Sequence, residues 1–109
     1  MKARIKEVAF VSQDLKEAYG ELQENDEKLF KFITRAINDL KENPFCGIRI
    51  KKKLIPKELK QKFQLDNLWK YNLPSAWRLL YNIAGDEVKI VSVILDWMDH
   101  KDYDRLFGF

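Results

Sequence analysis

The stretch Leu68–Leu95, LWKYNLPSAWRLLYNIAGDEVKIVSVIL, decides the fold. Trp69, Tyr71 and Leu73 alternate with Leu68, Lys70 and Asn72. After Pro74, Ser75 and Ala76 the alternation resumes, with Trp77, Leu79, Tyr81 and Ile83 set against Arg78, Leu80 and Asn82. Successive side chains of a strand point to opposite faces, so a period of two on both sides of a short loop predicts a β-hairpin. A three-residue loop at 74–76 pairs Leu73 with Trp77, Tyr71 with Leu79 and Asn72 with Arg78. The aromatic and aliphatic members then share a buried face, and Lys70, Asn72 and Arg78 share the other. A turn at Gly85, Asp86 and Glu87 leads into VKIVSVIL, apolar almost throughout, as a strand covered on both faces would be.

Working back towards the N-terminus, ARIKEVAFV holds Ile5, Val8 and Phe10 in partial alternation and reads as a first strand. Ser12 precedes Leu15, Ala18, Tyr19 and Leu22, the spacing of one buried helical face, with Gly20 weakening the helix near its end. Asn25 or Asp26 can cap a second helix with the stripe Leu29, Ile33, Ala36, Ile37 and Leu40, and Asn43 and Pro44 should end it. Residues 44–66 show little periodicity beyond a short helix from Pro56 to Phe63, and read as a basic excursion. The expected order is β-α-α-β-β-β. This is an α+β fold with an N-terminal helical hairpin packed on a largely antiparallel sheet, a short C-terminal helix or tail, and an open, basic second face.

A chain of 109 residues suits one domain, residues 1–109, with a single core. The apolar content of 46% and charged content of 34% are those of an ordinary globular protein. No apolar run approaches the roughly 18 to 20 residues of a membrane span, and MKARIKEVAF lacks a signal-peptide core, so a cytoplasmic protein without membrane contact is expected. Cys46 has no partner for an internal disulfide. One cysteine and one histidine are too poor a set for structural zinc, which leaves only carboxylate-bound magnesium to consider, and no cofactor is expected.

The net charge of +3 is unevenly spread: residues 1–40 carry −1, residues 41–70 carry +6 and residues 71–109 carry −2. A basic block such as RIKKKLIPKELKQK, with Lys51, Lys52 and Lys53, suits a polyanion contact, because neutralised phosphates release counterions. It is equally the composition of a solvated lysine-rich surface. Trp69, Trp77, Tyr71 and Tyr81 could stack on bases, but strand spacing assigns them to the core.

Chemistry is concentrated in two places. The hairpin register gathers Lys70, Asn72 and Arg78, whose donors suit the oxygens of one phosphate and would hold a phosphorane more strongly than the ground state. The same alternation is what any half-buried sheet shows on its solvent side. Directly after the last strand comes DWMDHKDYDR (residues 96–105) with the only histidine, His100, the side chain best suited to proton transfer near neutral pH. Read locally, it is also an aspartate-rich helix start with an incidental histidine.

Together, WRLLY (Trp77–Tyr81), GDE (Gly85–Glu87), VKIVSVI (Val88–Ile94) and HKDY (His100–Tyr103) resemble the C-terminal half of RelE/ParE-superfamily toxins. LKENPFCG is similar to the end of that family's second helix. The resemblance implies the toxin of a type II toxin-antitoxin system, with a cognate antitoxin as partner. In the RelE branch it implies an endoribonuclease, an mRNA interferase acting on mRNA in the ribosome. In that metal-independent reaction the RNA 2′-hydroxyl attacks the adjacent phosphorus, giving a 2′,3′-cyclic phosphate and a free 5′-hydroxyl. By position, Arg78 matches the arginine at the scissile phosphate, Lys70 a basic residue of the preceding strand, and His100 the acid or base. Lys101 and Tyr103 match its cationic and phenolic neighbours, and Asn72 stands where some members have a further lysine. Glu58 or Asp99 is available as a base. The resemblance also admits a ParE-like toxin acting on gyrase by contact, or a non-catalytic RNA- or protein-binding module. Asp96, Asp99, Asp102 and Asp104 would repel RNA if they faced the cleft.

Overall fold

The computed structural model describes residues 4–109, so Ala3, at the start of the first expected strand, lies outside the described residues. The elements are β1 (Ile5–Phe10), α1 (Gln13–Asn25), α2 (Glu27–Glu42), β2 (Ile48–Arg49), α3 (Lys57–Phe63), β3 (Trp69–Asn72), β4 (Trp77–Gly85), β5 (Lys89–Asp99) and α4 (His100–Phe107). They form a five-stranded sheet in the order β1-β5-β4-β3-β2, with β1 parallel to β5 and every other pair antiparallel. The expected α+β fold is observed, with the short helix expected from Pro56 to Phe63 present as α3 and with β2 added between the helical hairpin and β3.

Local chemistry sets the helix ends. Ser12 Oγ accepts from the Leu15 amide (3.1 Å) and Asp26 Oδ1 from the Leu29 amide (3.2 Å), each satisfying a donor that the first helical turn leaves free. The α2 stripe then buries Leu29, Ile33, Ala36 and Leu40 against Leu73, Leu79, Tyr81 and Ile94. After α2, the buried Tyr81 hydroxyl donates to the Pro44 carbonyl (2.8 Å) and accepts from the Gly47 amide (3.1 Å). A Cβ at Gly47 would collide with that hydroxyl and with the Lys70 carbonyl, so the corner into β2 requires glycine.

The hairpin closes in the expected register. The Leu73 amide donates to the Trp77 carbonyl (2.9 Å), Tyr71 pairs with Leu79 and Asn72 with Arg78. Between β4 and β5 the pairing shifts, with Leu80 opposite Asp96 but Tyr81 opposite Ile94. Leu95 is the extra residue. Without this bulge Asp96 would share the face of Ile94, beneath the helices; with it, Asp96 shares the face of Leu80 and Arg78.

The expected open second face is corrected by the structure. It carries a core of its own, in which Ile50, Ile55, Leu59, Leu68, Leu80, Leu95 and Tyr103 are buried together. The basic excursion supplies the cover, because Ile50, Ile55 and Leu59 turn inward while Ile48, Leu54, Lys51, Lys52 and Lys53 remain exposed. Leu68 and Leu80 share the face of Lys70 and Arg78, and leaving two leucines in water is costly enough to draw α3 and α4 onto the sheet.

Candidate functional site

The second core stops short of the hairpin end of the sheet, and there the cations lie. Lys70 on β3 and Arg78 on β4 are both partly buried on the same face. Beneath them is the ring of Tyr103, on the first turns of α4 and only 5% exposed. Lys70 Nζ stands 5.3 Å and Arg78 Cζ 5.8 Å from the ring centroid, so one aromatic ring attracts both cations. That contact holds two like charges on one support. Arg78 Nη1 donates to the Trp77 carbonyl (3.2 Å), while Arg78 Nε is buried without a partner. Burial raises the Tyr103 hydroxyl above its usual range, against a smaller lowering by Arg78, so the phenol stays protonated and neutral under the cations.

The strand ladder also positions α4. Trp77, the residue before Arg78, pairs with Asp99, and α4 begins at the next residue, His100. Asp99 caps the helix, its Oδ1 accepting from the Asp102 amide (2.9 Å). His100 and Lys101 are exposed in the first turn. Asn72 is exposed opposite Arg78. Thus Arg78, Lys70 and Tyr103 are in contact, with Asn72 beside them in the ladder and His100 and Lys101 at the adjoining helix start. Lys51–Lys53 belong to the same side of the sheet, since the flanking Ile50 and Ile55 are buried in the cluster that contains Tyr103.

The aspartates of the tail are largely committed elsewhere. The Asp99 carboxylate is a helix cap, and Asp102 pairs with Arg105 (3.4 Å) at the surface. Asp96 accepts from the Trp97 amide (2.8 Å), and burial raises its carboxyl above the usual range. Asp96, Asp102, Glu58 and Arg105 line a cleft of about 590 Å³ whose other walls are Trp77, Trp97, Met98 and Leu106. Arg78, Lys70 and His100 are not among its walls. Glu58 therefore lies with the acidic cleft, and Asp99 is spent on the cap.

Two features were missed in the sequence: the support role of Tyr103 and the cleft at Asp96. The first has a sequence signal, since Leu68 and Leu80 share the parity of Lys70 and Arg78 and call for an apolar partner. The second depends on the bulge at Leu95, for which the alternation gives no sign. Among the described residues, no group of three His, Cys, Asp or Glu side chains is arranged to hold a metal ion. No helix among them is long and apolar enough to cross a membrane.

Comparison with solved structures finds a YoeB/ParE toxin from Agrobacterium tumefaciens at a TM-score of 0.59 and 15% identity, covering 86% of this chain and 98% of that one. At that identity the likeness concerns the fold. Comparison with curated proteins gives no significant match. The family model of YoeB-like toxins of bacterial type II toxin-antitoxin systems matches residues 11–96, which include Lys70 and Arg78 and stop before His100. A match over most of the chain, on the fold already described, makes this chain a member of the YoeB-like toxin family of type II toxin-antitoxin systems.

Proposed function

We propose that this toxin is a ribosome-dependent mRNA endoribonuclease. The observation that carries the reading is the pair Arg78 and Lys70 held over the buried Tyr103 ring, next to the start of α4 where His100 is exposed. In this reading the 2′-hydroxyl of the RNA attacks the neighbouring phosphorus and gives up its proton to solvent water, and the bond to the 5′-oxygen breaks. Arg78 and Lys70 meet the extra negative charge on the non-bridging oxygens as the phosphorane forms, which lowers the barrier because that charge is absent from the ground state. His100 protonates the departing 5′-oxygen. Tyr103 holds the cations in place. Lys51–Lys53, Asn72 and Lys101 contribute contacts to the RNA backbone, so binding weakens as salt rises. Membership of a type II toxin-antitoxin family implies a cognate antitoxin that restrains the activity.

The test is to add the purified protein to translating ribosomes and map the mRNA ends. New 3′ ends bearing 2′,3′-cyclic phosphate, absent with Arg78→Ala and His100→Ala, are expected. Intact mRNA alongside stalled gyrase cleavage complexes would instead support the gyrase reading.

A further inference from the structure

The tip of the hairpin departs from what its backbone asks for. The Trp77 amide donates to the Pro74 carbonyl, and the two residues between them, Ser75 (φ 59°, ψ 34°) and Ala76 (φ 61°), are both left-handed. Positive φ at both central positions is the requirement of a type I′ turn, whose usual residues are asparagine and glycine. A left-handed backbone brings Cβ close to the following carbonyl oxygen, so serine and alanine hold this turn under strain. Among the described residues the one other non-glycine residue with positive φ is Gln64, at the C-terminal cap of α3, where helices commonly end left-handed.

Packing does not account for the choice of residues. Ser75 and Ala76 are exposed, and neither belongs to either buried cluster. The strain is held from outside the tip, by Pro74 and by the bond from the Leu73 amide to the Trp77 carbonyl (2.9 Å). A strained segment whose side chains stabilise nothing in the folded chain points to a role in function. Its place in the ladder says which role. Asn72 lies opposite Arg78 and Trp77 opposite Asp99, with His100 next, so the tip closes the sheet end between Asn72 and the start of α4. Ser75 is three residues from Arg78, at most about 10 Å of chain. RNA with its scissile phosphate on Arg78 and Lys70 and its 5′-oxygen near His100 passes this tip with a neighbouring nucleotide. A serine hydroxyl is a regular donor to phosphate oxygens, whereas glycine has no side chain to offer. Alanine in place of glycine at 76 narrows the freedom of the tip, so the hydroxyl is held in place before RNA arrives.

We propose that Ser75 is an RNA contact: its hydroxyl, held at the strained hairpin tip, donates a hydrogen bond to the phosphate of the nucleotide beside the scissile one. The proposal deepens the reading of this end of the sheet as an RNA site and rests on it.

Three proteins test it: wild type, Ser75→Gly, which removes the hydroxyl, and Ser75→Asn, which supplies an amide donor. Both replacements suit a left-handed backbone, so both variants are expected to unfold at no lower temperature than wild type. Binding of a single-stranded RNA oligonucleotide, made uncleavable by 2′-O-methyl groups, is followed by fluorescence anisotropy. Ser75→Gly is expected to bind about tenfold more weakly, the loss of one hydrogen bond to a charged group, and Ser75→Asn to stay within about threefold of wild type. Wild-type affinity in Ser75→Gly, an equal loss in Ser75→Asn, or a lower unfolding temperature in both variants would overturn the proposal. The oligonucleotide cannot be cut, so mRNA left whole on ribosomes counts against the ribonuclease reading alone. Absence of oligonucleotide binding by wild type overturns both.

Discussion

The face of the sheet beneath α1 and α2 and the face beneath α3 and α4 differ in what they bury. Under the helical hairpin the cluster is Leu29, Ile33, Ala36, Leu40, Leu73, Leu79, Tyr81 and Ile94, and the polar atoms buried with it carry no charge: the Tyr81 hydroxyl, which meets Pro44, and the hydroxyl of Ser92 on the same face of β5. On the opposite face a smaller apolar cluster shares its strands with Lys70, Arg78 and Asp96. Charged groups are costly to bury unless something offsets the lost hydration, and here the offset is a tyrosine ring and the open end of the sheet. One face stabilises the fold; the other gives up part of its burial to hold cations in fixed positions.

The largest effect that can break this contrast is a pair of truncations. Ile33→Ala removes a fully buried side chain from the first face and is expected to cost stability towards the upper end of about 2–5 kcal/mol in urea denaturation. Leu59→Ala, on the two-turn helix α3 and 7% exposed, is expected nearer the lower end, because a short surface helix can shift to close the space. A larger loss for Leu59→Ala would mean that the second face is the main core.

A sharper probe of the second face is Tyr103. Tyr103→Phe keeps the ring and is expected to leave the cleavage rate within about threefold, whereas Tyr103→Leu removes the cation–π support, worth about 0.5–2 kcal/mol per contact, and is expected to slow cleavage roughly tenfold. Equal losses in both variants would assign the work to the hydroxyl.

The smallest expected effect lies at the rim of the first face, where the Tyr71 hydroxyl donates to the Asp39 carboxylate. Burial, then the bond to Asp39 and its charge, push the Tyr71 hydroxyl up to about 12, against roughly 10 for an unfolded tyrosine. The folded state therefore holds this proton more tightly. The contribution is fully present below about pH 10 and is lost as the pH rises towards about 12. Denaturation curves across that window should show a fall in stability that is shallower in Tyr71→Phe.

Much of this contrast was legible in the amino-acid order. The alternation from Leu68 to Ile83 led to the hairpin, its three-residue loop and the pairing of Asn72 with Arg78. The stripe from Leu29 to Leu40 led to the buried face of α2, Ser12 to the cap of α1, and the choice of Asn25 or Asp26 to the cap of α2, where Asp26 serves. The cover over the second face was not legible from periodicity, because Ile50, Ile55 and Leu59 are scattered among lysines and the backbone turns between them through a single turn of 3-10 helix at Lys52–Leu54. Tyr103 was visible only as a neighbour of His100. Its place under Lys70 and Arg78 depends on β5 delivering α4 back over β4, a long-range consequence of strand order. Asp96 was counted among the repelling aspartates of the tail; a one-residue bulge instead directs it to a separate cleft.

The central claim is that cleavage depends on the cations of the second face and not on positive charge in general. The direct measurement is the single-turnover rate of mRNA cleavage on ribosomes by Arg78→Ala and by Arg35→Ala, which removes an exposed arginine from α2 on the opposite side. Arg78→Ala is expected to slow cleavage by about 10²–10³, the usual cost of removing one donor from a transition-state oxyanion, and Arg35→Ala to leave it within about threefold. Equal losses in the two variants, or full activity in Arg78→Ala, would contradict the account.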